Sequence, residues 1–184
     1  MNSNCKEFEL DDLMAVCAIP VGNISAASKD SPSNVLKPTL NASSYDFPLK
    51  YINEDVIVIG REKAVKAMME RDGGREVRVE TPVGELIPIM KMTGKAKDTE
   101  GDSVAGRQHT VTVSCEVDDR DGAVWEHLLK LERTPSHLLL TFRNGTQAFV
   151  AATRDSYMFT VERDGAKTSV TFRIYDIMGI QLIT

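Results

Sequence analysis

The sequence has few cysteines, and their placement argues against a protein held together by disulfides or structural zinc. Cys5, Cys17 and Cys115 are odd in number, lie far apart and contain no C-x-x-C pair. Thiols placed in this way are typical of reduced cysteines rather than of a disulfide framework or a zinc knuckle. We therefore expect an intracellular protein, and its 184 residues are enough to bury a core without cross-links.

Long hydrophobic runs and an excess of basic charge are also missing. No apolar run approaches the roughly 20 residues of a membrane-spanning helix, and the N-terminal residues are too acidic for the basic region of a secretory signal. The formal net charge is −5, from 22 basic and 27 acidic side chains. This balance gives no electrostatic reason for binding along a nucleic-acid backbone. We expect no membrane association and no specific nucleic-acid binding.

Glycine-rich nucleotide-binding motifs are absent. The apolar run Val56–Gly60 precedes a helical pattern, but the turn between them lacks the glycines of G-x-G-x-x-G and of G-x-x-x-x-G-K-[ST]. Glu62 in that turn would repel a pyrophosphate. The basic residues that follow are interleaved with acidic ones, which favours a solvated, salt-bridged face. The basic residues of this cluster are Lys63, Lys66, Arg71, Arg75 and Arg78.

The histidines and the third cysteine do not form a catalytic pattern. His109, His127 and His137 share no i, i+4 spacing of the kind that places two metal ligands on one helix face. Cys115 alternates with three valines on one strand face, where a buried thiol is inert. The sequence therefore predicts no catalytic residue, no cofactor-binding residue and no enzymatic activity.

An aspartate cluster precedes the helix of the C-terminal half. Asp118, Asp119 and Asp121 lead into Gly122, as in the middle of a calcium loop. With this glycine at the sixth loop position, however, the first and twelfth positions fall on a valine and a leucine, where carboxylates are required. We predict that these aspartates cap the helix that follows and that the chain has no metal ligand.

Residues 1–50 are interpreted as an N-terminal segment followed by an extended arm or linker. Lys6–Ala18 fits an amphipathic helix, whereas Met14–Ile19 fits a short buried strand, and the period alone does not separate the two. Residues 22–50 are rich in serine, asparagine and proline and have too few apolar side chains to build a core. Such a segment is either disordered or held across another surface.

Residues 51–184 are predicted to form a single α+β domain. Residues 94–106 are almost without apolar side chains, so we predict a long mobile loop there that contacts a partner. The elements expected before this loop are a strand at Val56–Gly60, a helix at Arg61–Arg71, and strands at Glu76–Glu80 and Leu86–Thr93.

The C-terminal half has the clearest periodicity. Alternation in His109–Val117 predicts a half-buried antiparallel strand, and Ala123–Arg133 predicts a helix with an apolar side. Asn144-Gly145 and Asp164-Gly165 predict hairpins with type I′ turns. Further strands are expected at Leu138–Phe142, Thr146–Thr153, Tyr157–Arg163 and Lys167–Ile177. The predicted fold is α+β: a mainly antiparallel β-sandwich or curved barrel-like sheet, with one or two packed helices and an extended N-terminal arm.

The order of elements in residues 107–184 resembles phage tail-tube proteins and related ring-forming tail proteins. The resemblance is carried by the threonine- and valine-rich strand, the helix headed by Asp121-Gly122, the hairpin Leu138–Ala152 and the closing strands that end at Met178-Gly-Ile180. It implies a structural virion protein, a ring-forming subunit of a tail tube or neck around the DNA channel, assembled in the bacterial host cytoplasm. It also implies self-assembly and contacts with adjacent tail or neck proteins through the arm and the loop.

Two other classes of function stay open. The first is a small-ligand-binding module or enzyme of a cystatin-like α+β fold, with a pocket on the concave side of a curved sheet. Trp125, His127 and Tyr157 are the residues expected near such a pocket. The second is an intracellular regulator or toxin-immunity protein, which the composition does not exclude.

Overall fold

The computed structural model describes residues 6–21, 24–25, 50–51, 57–60, 91–104, 106–176 and 178–183. Within these ranges lie twelve strands and one short α-helix, α1 (Ala123–Leu128), which continues as a 3-10 helix over Leu129–Arg133. The strands are β1 (Lys6–Leu10), β2 (Leu13–Pro20), β3 (Ile24–Ser25), β4 (Lys50–Tyr51), β5 (Ile57–Gly60), β6 (Met92–Ser103), β7 (Gly106–Asp118), β8 (Ser136–Phe142), β9 (Gln147–Val150), β10 (Tyr157–Asp164), β11 (Lys167–Asp176) and β12 (Ile180–Ile183).

The described strands form two five-stranded antiparallel sheets and one short pair. Sheet A has the order β1-β6-β7-β11-β10, and sheet B has the order β12-β9-β8-β2-β5. Strands β3 and β4 pair only with each other. The prediction of a mainly antiparallel α+β fold is confirmed, and of its two forms the structure has two open sheets rather than a closed barrel.

Alternating apolar residues place the core against the inner face of sheet A. On β7, Val111, Val113 and Cys115 are buried, while the residues between them are partly exposed. Val170 and Phe172 on β11 pair with Cys115 and Val113 and are buried on the same face. Because side chains alternate across a strand, this half-buried pattern leaves the other face of sheet A polar.

The first described residues belong to the sandwich rather than to a separate segment. Lys6–Leu10 pairs with β6 in sheet A, and Leu13–Pro20 pairs with β5 and β8 in sheet B. The helical alternative for Lys6–Ala18 is therefore wrong, and the strand alternative for Met14–Ile19 is confirmed. Almost every residue of β2 is buried. This pattern is typical of a strand that is covered on both faces, whereas an amphipathic helix buries one side only.

The predicted mobile loop at residues 94–106 is wrong over most of its length. Met92–Ser103 is a continuous strand that pairs with residues 106–117 of β7. Lys95 and Lys97 face outward and form ion pairs with β1, Lys97 with Glu7 at 3.0 Å and Lys95 with Glu9 at 3.4 Å. Cross-strand pairs of opposite charge stabilise a strand that carries no apolar signal of its own.

The helix follows its prediction closely. Val124, Leu128 and Leu131 are buried on its inner side. The predicted cap is made by Asp119, whose carboxylate oxygens accept the backbone N–H groups of Val124 at 3.1 Å and Trp125 at 3.0 Å. These bonds satisfy donors that the first turn of a helix leaves free.

Both predicted hairpins are present, but neither has a type I′ turn. That turn needs positive φ at both central residues, and Asp12 is the only non-glycine residue with positive φ in the described ranges. The β8–β9 loop has three residues, 143–145, with Gly145 at φ 84°. The β10–β11 loop has two, Gly165 and Ala166, with the glycine first, as in a type II′ turn.

Strand β5 confirms the prediction for Val56–Gly60 over the four residues described there, with Ile57 and Ile59 buried. The predictions for residues 61–71, 76–80 and 86–90 lie outside the described residues, as does most of the predicted arm at 22–50.

Candidate functional site

The outward face of sheet A carries a small grid of polar side chains. Two adjacent rows of cross-strand partners run over β6, β7 and β11, on the face opposite the core. The first row is Lys95, Ser114 and Thr171; the second is Thr93, Glu116 and Ser169. Strand pairing alone brings these six together, because residues two apart on one strand share a face.

The residues that follow β1 border this grid on one side and form a wall. Asp11 and Asp12 carry the chain from sheet A to sheet B, and the backbone N–H of Arg143 donates to the Asp12 carbonyl at 3.0 Å. The grid and this wall enclose a groove of about 580 Å³, which we call the outer groove. Its volume falls within the ~300–1,000 Å³ that is typical of small-ligand sites.

The charges on the floor of the outer groove already have partners. Lys95 pairs with Glu9, and Lys167 donates to Glu116 at 2.7 Å. That hydrogen bond and the charge of Glu116 raise the pKa of Lys167. The groove therefore offers hydroxyl groups and paired charges, which suit hydrogen bonding to a polar ligand.

Cys115 is among the residues that line the outer groove, but its thiol is not suited to act as a nucleophile. It is buried, and burial raises the pKa of its thiol to about 12. A thiol that stays protonated at neutral pH does not attack substrates. Cys17 is likewise a buried thiol that forms no disulfide among the described residues, and Cys5 lies outside them.

A second feature is the end of the β6–β7 hairpin. The described pairing of β1, which begins at Lys6, reaches Glu100, and that of β11 reaches His109. Residues 101–104 and 106–108, which we call the hairpin arm, have no described strand on either side. Arg107 pairs with Glu100 at 3.0 Å at the base of the arm, and Val104 at its tip is fully exposed.

A third feature is a buried carboxylate that joins three strands, which we call the carboxylate clasp. Asp98 on β6 is buried; its Oδ1 lies 2.8 Å from His109 Nδ1 on β7, and its Oδ2 accepts the backbone N–H of Ile180 on β12 at 2.9 Å. A carboxylate only accepts, so Nδ1 carries the proton. Gly179 has φ 64°, and a Cβ there would overlap Asp98 Oδ2.

The structure does not bring the three pocket candidates from the sequence together at the outer groove. Tyr157 is buried, and its hydroxyl donates to the Leu131 carbonyl at 3.1 Å. Burial raises the pKa of this phenol, so it acts as a packed hydrogen-bond donor. Trp125 and His127 are half-buried on α1 and do not line the groove.

His137 is a core histidine. Its Nδ1 accepts the backbone N–H of Ala152 at 2.9 Å, and its ring stacks on Phe149 with centroids 5.7 Å apart. Burial lowers the pKa of this imidazole to about 4, although a hydrogen bond to the backbone of Val21 acts in the opposite direction. Its neutral ring is thus a structural acceptor.

Sequence reasoning missed the clasp and the groove wall. Asp98 lay inside a run that was assigned to a loop, and Asp12 and Arg143 come from turns that meet only after folding. One signal for the clasp was available: His109 shares the inward face of β7 with the valines, and a polar residue on an apolar face needs a partner.

The fold defines a class, an open two-sheet antiparallel β-sandwich with one capped helix. Comparison of the chain with protein families, characterised proteins and solved structures finds no match. Among the described residues, no helix is long and apolar enough to cross a membrane. No group of three histidine, cysteine, aspartate or glutamate side chains in these ranges is placed to hold a metal ion.

Proposed function

We propose that this protein is a structural subunit that assembles with copies of itself into a ring, as a component of a phage tail tube or neck, and that it works without catalysis. The observation that carries the proposal is the hairpin arm. Val104 at its tip is fully exposed and lies beyond the described pairing of both neighbouring strands. An exposed apolar side chain at the end of a paired hairpin is suited to contact with another molecule.

Open strand edges support the same proposal. Among the described strands, β1 and β10 border sheet A, and β12 and β5 border sheet B. Each edge presents backbone N–H and C=O groups that another strand can satisfy. Two large apolar side chains on these edges are exposed: Phe8 on β1 by 43% and Leu182 on β12 by 49%. Edges of this kind are completed by neighbours in an assembly.

The asymmetry of these elements supports the ring form. The arm projects from one place and the open edges lie elsewhere, so a contact between them joins two different surfaces. Contacts of this head-to-tail type close into rings when the rotation between subunits allows it. The resemblance of residues 107–184 to ring-forming tail proteins and the net charge of −5, which would not retain DNA in a channel, agree with this form.

The test is the assembly state of the full chain with and without an intact arm. We expect the wild-type protein to form rings at raised concentration, seen by light scattering after size exclusion and by negative-stain electron microscopy. Val104→Asp should shift it to monomers, because a charge at the tip would have to be desolvated in the contact. Tyr175→Asp, at an exposed position on β11, which is paired on both sides, is the matched control and should still assemble.

A strictly monomeric wild-type protein at all concentrations would contradict the proposal. Equal losses of assembly in both variants would show that the arm is not the contact element.

The outer groove favours a second candidate function, the binding of a small polar ligand. Its volume of about 580 Å³ and its hydroxyl groups fit a ligand that forms many hydrogen bonds. A thermal-shift screen with sugars, amino acids and nucleotides tests this candidate. A ligand that raises Tm for the wild type, but not for Arg143→Glu on the groove wall, would favour it over assembly alone.

A further inference from the structure

Among the described strands, β12 has a neighbour on one side only. It has four residues, borders sheet B and pairs with β9 alone among the described strands. The chain reaches it from β11 in sheet A through residues 177–179, a connection of three residues. Gly179, at φ 64°, is the turning point immediately before the strand.

The clasp fixes the start of this strand at one point. Asp98 receives the Ile180 N–H and is itself held by His109, so a single buried carboxylate connects β12 to both β6 and β7. The site accepts a backbone N–H that follows a glycine, because a side chain at position 179 would overlap the carboxylate. Any strand that begins with the same Gly-Ile sequence meets these requirements, including the β12 of another copy.

The two described edges of sheet B differ in charge from those of sheet A. Neither β12 (Ile180–Ile183) nor β5 (Ile57–Gly60) includes a charged side chain. Edge strands β1 and β10 carry several charges each: Lys6, Glu7 and Glu9 on β1, and Glu162, Arg163 and Asp164 on β10. Charged edges discourage pairing with foreign strands, whereas an uncharged edge permits it.

We propose that β12 is exchanged between copies in the assembly: the β12 of one subunit pairs with β9 of the next, and the next subunit's Asp98 receives its Ile180 N–H. The proposal rests on the proposed function, because it adds a second contact, beside that of the hairpin arm, between the subunits of the ring. Exchange recreates every pairing that β12 makes within one chain, and it requires the chain after β11 to reach the next subunit. Passing the strand head to tail builds a ring, whereas mutual exchange closes a dimer.

Disulfide trapping between two different variants tests the exchange. Leu182 and Ala148 are direct partners on β12 and β9, and facing residues of antiparallel strands lie close enough for a disulfide. One copy carries Leu182→Cys and a tagged second copy carries Ala148→Cys, both in a Cys5→Ser background. The two are co-expressed and oxidised in the assembled state. We expect a disulfide-linked pair of the two copies on a non-reducing gel.

A matched control uses Thr160→Cys and Thr171→Cys on separate copies. These residues are partners within the β10–β11 hairpin, which the proposal leaves within one chain, so no linked pair should form. Asp98→Ala should reduce the yield of the β12–β9 link at least severalfold, while Asp98→Asn, whose amide oxygen still accepts the Ile180 N–H, should retain it.

Links that form only within a single chain carrying both Leu182→Cys and Ala148→Cys would overturn the proposal. Rings without the link between copies would leave the proposed function standing and remove the exchange. A link found only in dimers would support the exchange and contradict the ring.

Discussion

Sheet A and sheet B share antiparallel pairing but differ in the number of faces that they bury. On β7 in sheet A, buried and partly exposed residues alternate, so one face stays open to solvent. In sheet B, all seven residues of β8 and all four of β9 are buried. Sheet B therefore acts mainly in stability, whereas sheet A has a face that is free for contacts. Substitutions in the two sheets should have correspondingly different effects.

The largest difference is expected for a buried aromatic residue of sheet B. Phe149→Ala should lower the free energy of unfolding by about 3–5 kcal/mol, because the fully buried ring leaves a cavity. Thr112→Ala, on the outward face of β7, is the counterpart in sheet A and should change it by no more than ~0.5 kcal/mol. Denaturant unfolding measures both, and equal losses would contradict the two-sheet comparison.

A pH effect of slightly smaller size should also belong to sheet B. The pKa of His137 is about 4 in the folded protein and 6.5 in its ordinary state, so the unfolded chain binds a proton more readily between these values. The free energy of unfolding should then fall by roughly 3 kcal/mol as the pH drops from about 6.5 to about 4.

His137→Asn tests this assignment, since its amide does not titrate in that range. Unfolding curves at several pH values should show a flatter dependence for the variant. A variant that keeps the full pH dependence of the wild type would show that other groups cause it.

The helix cap should have an intermediate effect. Asp119→Ala should cost about 2 kcal/mol, because it leaves the N–H groups of Val124 and Trp125 and the hydroxyl of Thr168 without their acceptor. Asp121→Ala removes one exposed bond to Ala123 and is expected to cost about 0.5 kcal/mol. A larger loss for Asp121→Ala would assign the cap to the wrong residue.

The stabilisation by this cap depends on pH through the pKa of Asp119. Burial raises this pKa, but hydrogen bonds from Thr168, Trp125 and Val124 and the charge of Arg163 outweigh burial and lower it below 3.8. The stabilisation is therefore complete above the ordinary aspartate pKa and is lost as the pH falls through the folded value. The difference in unfolding free energy between wild type and Asp119→Ala should shrink in that acid range.

The smallest effect is expected on the outward face of sheet A. Glu7→Ala removes the 3.0 Å ion pair with Lys97, in which both side chains are more than a third exposed. Solvent and salt screen such pairs, so the loss should be below ~1 kcal/mol and should fall further at high ionic strength. Unfolding measured at low and high salt checks this, and a loss independent of salt would point to packing instead.

The parts of the fold that were predictable are those with one dominant signal. The alternation on β7 and the apolar stripe of α1 each bury a single face, so their period identified them. Strand β6 was missed because Gly94–Ser103 is polar, and its stability comes from partners on β1 and β7 that are distant in sequence. The neighbouring strands β1 and β7, rather than the intrinsic preference of the residues of β6, therefore determine the structure there.

The candidate sites were less predictable for the same reason. The outer groove joins Asp12, Lys95, Glu116, Arg143 and Ser169, which come from five separate elements. No local motif marks such a set, because each residue alone has the ordinary chemistry of a surface position. Only the register of the strands and the crossover after β1 place them side by side.

The chain passes between the sheets at two places by very short routes. Asp11 and Asp12 connect β1 to β2, and residues 177–179 connect β11 to β12. In both places, consecutive strands of the chain belong to different sheets. One sheet therefore cannot separate without displacing strands of the other. Such interlacing is expected to make denaturation a single concerted event, with slowly exchanging amides in both layers becoming accessible together.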